Sequence, residues 1–251
     1  MSIGVFDSGI GGLTVLKDAI KLLPNEDYLY YADTKHVPYG TKPKDEVRGY
    51  IFDAADFFAE QGVEALVIAC NTATSIAIND LRMRYSFPII GMEPAVKPAV
   101  LKADGRRVLV LATPITVREK KLQDLVERLD SEDIVDLHAL PGMVEFAEKF
   151  IFDEETVIRY LLNEFSRYDL REYGAVVLGC THFVFFRRHF EMILPHGVDI
   201  IDGNIGTINR LRNVLKDRKS SCGGKGNTTF YCSGDKEIDD NKYRRYLELE
   251  F

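Results

Sequence analysis

The residues best suited to chemistry in this chain are two cysteines in duplicated surroundings. One ends the run Ala65-Leu66-Val67-Ile68-Ala69-Cys70-Asn71-Thr72-Ala73-Thr74, the other the run Ala175-Val176-Val177-Leu178-Gly179-Cys180-Thr181-His182. In both, an apolar, β-branched stretch leads through a small residue into Cys, with Thr one or two positions later. A lone buried Cys usually acts as a small hydrophobe; the repetition argues for more. Two thiols flanking one crevice, one ionised and one protonated, can take a proton from one face of a carbon and return one to the other face. That inverts a stereocentre without a cofactor. A free thiol titrates near ~8.5, so each needs help at neutral pH. A helix starting just after the cysteine favours the thiolate, and Asp7 and His182 are candidate partners to orient the sulfurs.

Each cysteine run reads as a buried strand handing over to a helix. In a parallel sheet that turn lies at the carboxyl ends of the strands, where ligands bind. Ile3-Gly4-Val5-Phe6 predicts a first strand, and Asp7-Ser8-Gly9-Ile10-Gly11-Gly12 a glycine-rich turn whose N–H groups would face an anion. An amphipathic helix over 13–23 follows, with Leu13, Leu16, Ile20 and Leu23 on one side. The turn is not G-x-G-x-x-G and no Walker lysine follows it, which argues against a nucleotide. Tyr28 to Ala32 reads as a strand and Pro38-Tyr39-Gly40 as a loop that shapes a pocket rim. A helix over 44–61 should bury Val47, Ile51, Ala54, Ala55 and Phe58. Asn71 or Thr72 is placed to cap the helix after Cys70. The pattern restarts at Arg107: strand 108–112, a turn and helix over 113–129, strand 134–138, helices near 143–150 and 154–167, then the second cysteine strand. Helix 183–194, strand 198–201, helix 203–215, strand 228–232 and a charged tail helix complete the chain, with 220–227 the most linker-like stretch.

Strands alternating with helices imply parallel sheets. The restart and the repeated cysteine strand imply an α/β protein with two similar doubly wound parallel-sheet domains facing each other across a central crevice. The expected division is 1–93 with 207–251 for the first domain and 94–206 for the second. A chain of 251 residues is long enough for this. Its net charge of −7, from 32 basic and 39 acidic residues, argues against a nucleic-acid surface. No run is apolar and long enough to span a membrane. The N-terminus lacks the basic start and apolar core of a secretory signal, so the cytoplasm is expected, with the four cysteines as thiols. The chain begins almost at its first strand, so no added N-terminal regulatory site is expected. No Cys/His spacing suggests a metal, and none is expected.

The stretches Phe6-Asp7-Ser8-Gly9-Ile10-Gly11-Gly12-Leu13-Thr14-Val15, Pro38-Tyr39-Gly40, Ala69-Cys70-Asn71-Thr72-Ala73 and Gly179-Cys180-Thr181-His182 together closely resemble the glutamate racemase family. Asp202-Gly203 and Ser233-Gly234-Asp235 extend the likeness nearly to the end. The resemblance implies a cofactor-independent isomerase that interconverts L- and D-glutamate, supplies D-glutamate for peptidoglycan and forms a homodimer. It makes Cys70 the thiol that deprotonates D-glutamate and Cys180 the one that deprotonates L-glutamate, assisted by Asp7 and His182 respectively. Glu145 matches the family's supporting carboxylate. Ser8, Tyr39, Gly40, Asn71, Thr72 and Thr181, with Thr113 and Thr116, would hold the substrate's carboxylates and ammonium. The chain departs from the family pattern at Lys35-His36, at Glu119 and Leu122, and at Phe183-Val184-Phe185-Phe186. Cys222 and Cys232 match no family site.

Three other readings use the same residues. An aspartate racemase would need a pocket one methylene shorter. A non-catalytic amino-acid-binding module would leave both thiols inert. A redox sensor would join Cys70 to Cys180, which needs Cα atoms within about 7 Å.

Overall fold

A computed structural model describes residues 2–129, 133–216 and 224–251. Cys222 and the first half of the linker-like stretch 220–227 lie outside the described residues. The first sheet is built from β1 (Ser2–Asp7), β2 (Asp27–Ala32), β3 (Ala65–Ile68) and β4 (Ile89–Gly91). Helices α1 (Leu13–Leu22), α2 (Lys44–Glu60) and α3 (Asn71–Arg84) connect them, and α4 (Val96–Lys102) leads away. The second sheet holds β5 (Arg107–Ala112), β6 (Val135–Ala139), β7 (Tyr173–Leu178) and β8 (Asp199–Asp202). Between them run α5 (Pro114–Arg118), α6 (Lys120–Leu129), α7 (Pro141–Glu148), α8 (Glu154–Glu164), α9 (Thr181–Val184) and α10 (Arg187–Ile193). After α11 (Asn204–Lys216), β9 (Thr228–Cys232) and β10 (Asp235–Lys236) rejoin the first sheet, and α12 (Asn241–Glu248) ends the fold.

The strand orders are β10-β9-β2-β1-β3-β4 and β6-β5-β7-β8. Every pairing is parallel except that of the short β10 with β9. The chain is thus α/β with two parallel sheets, and the two share one plan. β1 sits between β2 and β3 just as β5 sits between β6 and β7. In each sheet the strand order reverses beside that central strand, which opens a crevice at the carboxyl ends. β3 and β7, the two cysteine strands, occupy the same place in the two plans.

Burial follows from composition. Ile3, Val5, Leu66, Val67, Leu109, Leu111, Val176 and Val177 are completely buried, each contributing about 1.5–3 kcal/mol relative to exposure. One apolar cluster runs from the first sheet through Leu109, Leu111 and Val176 of the second. On α2 the buried residues are the five expected, Val47, Ile51, Ala54, Ala55 and Phe58. Among the described residues no helix is long and apolar enough to cross a membrane.

Three local expectations need correction, and one strand was not foreseen. Residues 113–129 form two helices, because Glu119 is extended and its carboxylate reaches Lys44 at 2.8 Å. Residues 183–194 also break, at Phe186 (φ −101°, ψ 14°), where the rings of Phe185 and Phe186 both pack near Phe152. β10 was too short and exposed to carry a period. The cap of α3 is neither Asn71 nor Thr72 but Cys70 itself, whose sulfur accepts the Ala73 N–H at 3.4 Å.

Candidate active site

The two reversal points face one narrow crevice. Ser8 follows β1, Cys70 follows β3, Thr113 follows β5 and Cys180 follows β7, and all four line it. Of the other expected residues, Tyr39, Gly40, Asn71, Thr72, Thr181 and His182 also stand on its walls, joined by Pro141 and Val144. No lysine or arginine lines the crevice among the described residues, so an anion here must rely on hydroxyls and backbone N–H groups.

Cys70 is buried. Its thiol donates to Ser8 Oγ at 3.6 Å while its sulfur caps α3. Burial, with the negative charge of Asp7, pushes this thiol up to about 12, against the pull of the helix N–H and the serine. Cys180 has no capping N–H, and its sulfur lies 3.8 Å from His182 Nδ1. His182 Nε2 donates to Glu148 Oε1 at 2.9 Å, and the same oxygen accepts the Ile10 N–H at 2.8 Å. Burial opposes the imidazolium, but bonds to Cys180 and Glu148 outweigh it and hold His182 well above the ordinary histidine range. Burial likewise opposes the Glu148 carboxylate, yet the bond and charge of His182 leave it below its ordinary value. Gly11 is needed here: a Cβ on it would collide with the His182 ring and the Thr181 hydroxyl.

Asp7 lies fully buried behind the wall rather than on it. It accepts the Gly9 N–H at 3.0 Å and the Thr181 hydroxyl at 3.0 Å. Burial raises its carboxyl to about 6, against the attraction of His182. Among the described residues no hydrogen bond joins Asp7 to Cys70, so its influence on that thiol acts through space.

Two predicted residues sit elsewhere. Glu145 projects to solvent and pairs with Lys149 at 3.3 Å; the carboxylate that reaches the histidine is Glu148, one turn further along α7. Thr116 does not line the crevice. Its hydroxyl closes a ring with Thr72 at 3.1 Å and Thr113 at 3.0 Å, and the residue borders a separate depression with Met92 and Lys121. The glycine-rich turn also differs from expectation, since its Gly9 and Ile10 N–H groups serve Asp7 and Glu148, the protein's own carboxylates. The Tyr39 hydroxyl is likewise committed, donating to Asp33 at 2.5 Å. Glu148 and Asp33 escaped the sequence reading. Nothing in the spacing separated Glu148 from Glu145, since its burial against His182 exists only in the fold.

Comparison with known proteins adds an independent line. The family described as Asp/Glu/Hydantoin racemase matches residues 14–211. The glutamate racemase of Halothermothrix orenii is 57% identical over 99% of this chain and 98% of its own length. Among solved structures, Escherichia coli glutamate racemase in complex with L-glutamate and the activator UDP-MurNAc-Ala superposes with a TM-score of 0.84. It is 27% identical, and the match covers 98% of this chain and 92% of that one. Francisella tularensis glutamate racemase in complex with D-glutamate gives 0.83 at 28% identity, covering 99% and 92%. With a family match over most of its length and a relative this close across nearly all of it, the chain belongs to the Asp/Glu/hydantoin racemase family and is an isomerase.

Proposed function

We propose that this protein interconverts L- and D-glutamate without a cofactor by passing the α-proton between two thiols, Cys70 and Cys180. The observation that carries the reading is that sulfurs from equivalent strand ends of two sheets line one crevice. In one direction the Cα–H bond breaks as an S–H bond forms at Cys180. A new Cα–H bond then forms on the opposite face as Cys70 gives up its proton. In the other direction the roles exchange, so the product state is the mirror of the starting state. His182, held by Glu148, supports the charge at Cys180. Asp7 keeps Cys70 basic enough to act as the second base. Ser8, Asn71, Thr72, Thr113 and Thr181, with the Tyr39 and Gly40 N–H groups, hold the carboxylates and ammonium. The N-terminus of α3 helps to stabilise the carbanion-like state.

Because the crevice is narrow, the segments 1–93 with 207–251 and 94–206 are taken as bodies that part to admit substrate. The names of the relatives support glutamate rather than aspartate. The wider reading is a cytoplasmic homodimer that supplies D-glutamate for peptidoglycan. Proton NMR of L-glutamate in D₂O with the purified protein tests the chemistry. The α-proton signal should vanish as D-glutamate appears, and Cys70→Ser and Cys180→Ser should each slow racemisation by roughly 10²–10⁴-fold. Binding with a persistent α-proton would leave a non-catalytic module instead.

A further inference from the structure

The rim that carries Tyr39 and Gly40 is held from behind by groups outside the crevice. Asp33, directly after β2, is buried, and its carboxylate accepts hydrogen bonds from three side chains. These are Tyr39 Oη at 2.5 Å, His36 Nδ1 at 2.9 Å and Ser233 Oγ at 2.8 Å. Its own N–H donates to the Asp7 carbonyl at 3.0 Å, which ties it to the end of β1. Ser233 forms the tight turn between β9 and β10 and also accepts the Lys35 N–H at 3.1 Å. Thr34 meets Cys232 at 2.7 Å. The last strands of the chain therefore clamp the loop that leads to the rim. Since the Tyr39 hydroxyl is spent on Asp33, what Tyr39 and Gly40 offer a ligand is their backbone N–H groups and the tyrosine ring. Those groups are useful only where the loop places them, and that place is tightly bounded: a Cβ on Gly40 would come within 2.5 Å of Thr113 Cβ on the facing half.

We propose that Asp33 is a positioning residue for substrate capture, fixing the Tyr39–Gly40 rim through the Tyr39 hydroxyl and anchoring it to the Ser233 turn. The inference rests on the racemase reading. It assigns the C-terminal hairpin a part in the site although no residue of that hairpin lines the crevice. An acceptor-only carboxylate suits the task, because it takes donors from three directions at once. Removing it leaves the buried Tyr39 hydroxyl without its acceptor, and the rim moves to find another.

Steady-state racemisation of both enantiomers by the full chain tests this. Asp33→Ala should raise KM roughly tenfold or more for L- and D-glutamate alike, with kcat within about threefold. Asp33→Asn, whose amide oxygen still accepts from Tyr39, should recover most of the loss. The double variant Asp33→Ala/Tyr39→Phe should be no worse than Asp33→Ala alone, since the bond that Tyr39→Phe removes is already among the three lost with Asp33. A folded Asp33→Ala protein with unchanged KM, or one that loses kcat alone, overturns the inference and leaves the racemase reading intact. Should Asp33→Ala fail to fold, Tyr39→Phe decides: a raised KM supports the proposal and an unchanged KM overturns it. A wild-type protein that racemises no glutamate overturns both readings.

Discussion

Cys70 and Cys180 stand at equivalent places in two copies of one strand–turn–helix plan, yet different neighbours serve them. Cys70 opens the fourteen-residue α3 and takes its N–H, with Ser8 as a further partner. Cys180 opens the four-residue α9, takes no N–H, and relies on an imidazole backed by a carboxylate. Asp7 sits near the first thiol and raises it; His182, with the opposite charge, faces the second. The backbone was duplicated but the electrostatics were not. In the two-thiol exchange proposed above one sulfur begins protonated, and the upward shift of Cys70 favours Cys70 for that part.

The comparison can be broken most forcefully on the Cys180 side. Glu148→Gln should lower kcat roughly 10²-fold by leaving His182 without its carboxylate, whereas Glu145→Gln should change it less than about twofold, as for an exposed pair. Isotope effects with α-deuterated substrate show which side is damaged. Glu148→Gln should enlarge the effect for one enantiomer and shrink it for the other. Asp7→Asn should do the reverse, and the same pattern from both variants would end the claim of separate sides.

Asp7 also gives a pH prediction. Its folded pKa, about 6, lies above the ordinary 3.8. The folded protein therefore holds this proton more tightly than the unfolded chain does. The stability from this group is full below about pH 3.8 and lost as pH rises through about 6. Across that window the advantage of Asp7→Asn over the wild type should grow with pH, reaching about 3 kcal/mol above pH 6, the equivalent of two pKa units, read from urea unfolding at each pH. The wild-type activity limb near pH 6 should be missing from the variant. Its Cys70 thiol should titrate below about 12 by thiolate absorbance, because a repelling charge has gone.

The smallest effect belongs to the hydroxyl ring that bridges the halves. Thr116→Val should cost about 1 kcal/mol of stability by urea unfolding and leave KM within about twofold. A large rise in KM would return Thr116 to the substrate contacts.

Much of this architecture was legible in one chain. Burial on α2 follows the helical period residue by residue, and both cysteine strands could be read because continuous apolar runs are what two-sided burial demands. What escaped was decided by contacts between distant segments. Glu145 and Glu148 lie one turn apart on α7, so periodicity alone cannot choose between them; the approach of α7 to the turn after β1 does. The glycine-rich turn offered N–H groups to an anion, and tertiary packing supplied that anion from the protein itself. Tyr39 was a rim residue by its neighbours Pro38 and Gly40, but the loop folds its hydroxyl back onto Asp33, whose other oxygen is held by Ser233 from the distant turn after β9.

The sequence by itself determined the two sheets, the repeated cysteine walls and the family, since these rest on local periodicity and on motifs contiguous in the chain. Only the tertiary structure decided which carboxylate supports His182, which group caps α3 and how the two thiols differ. Burial and through-space charge set those properties, and both depend on residues that meet only when the chain is folded.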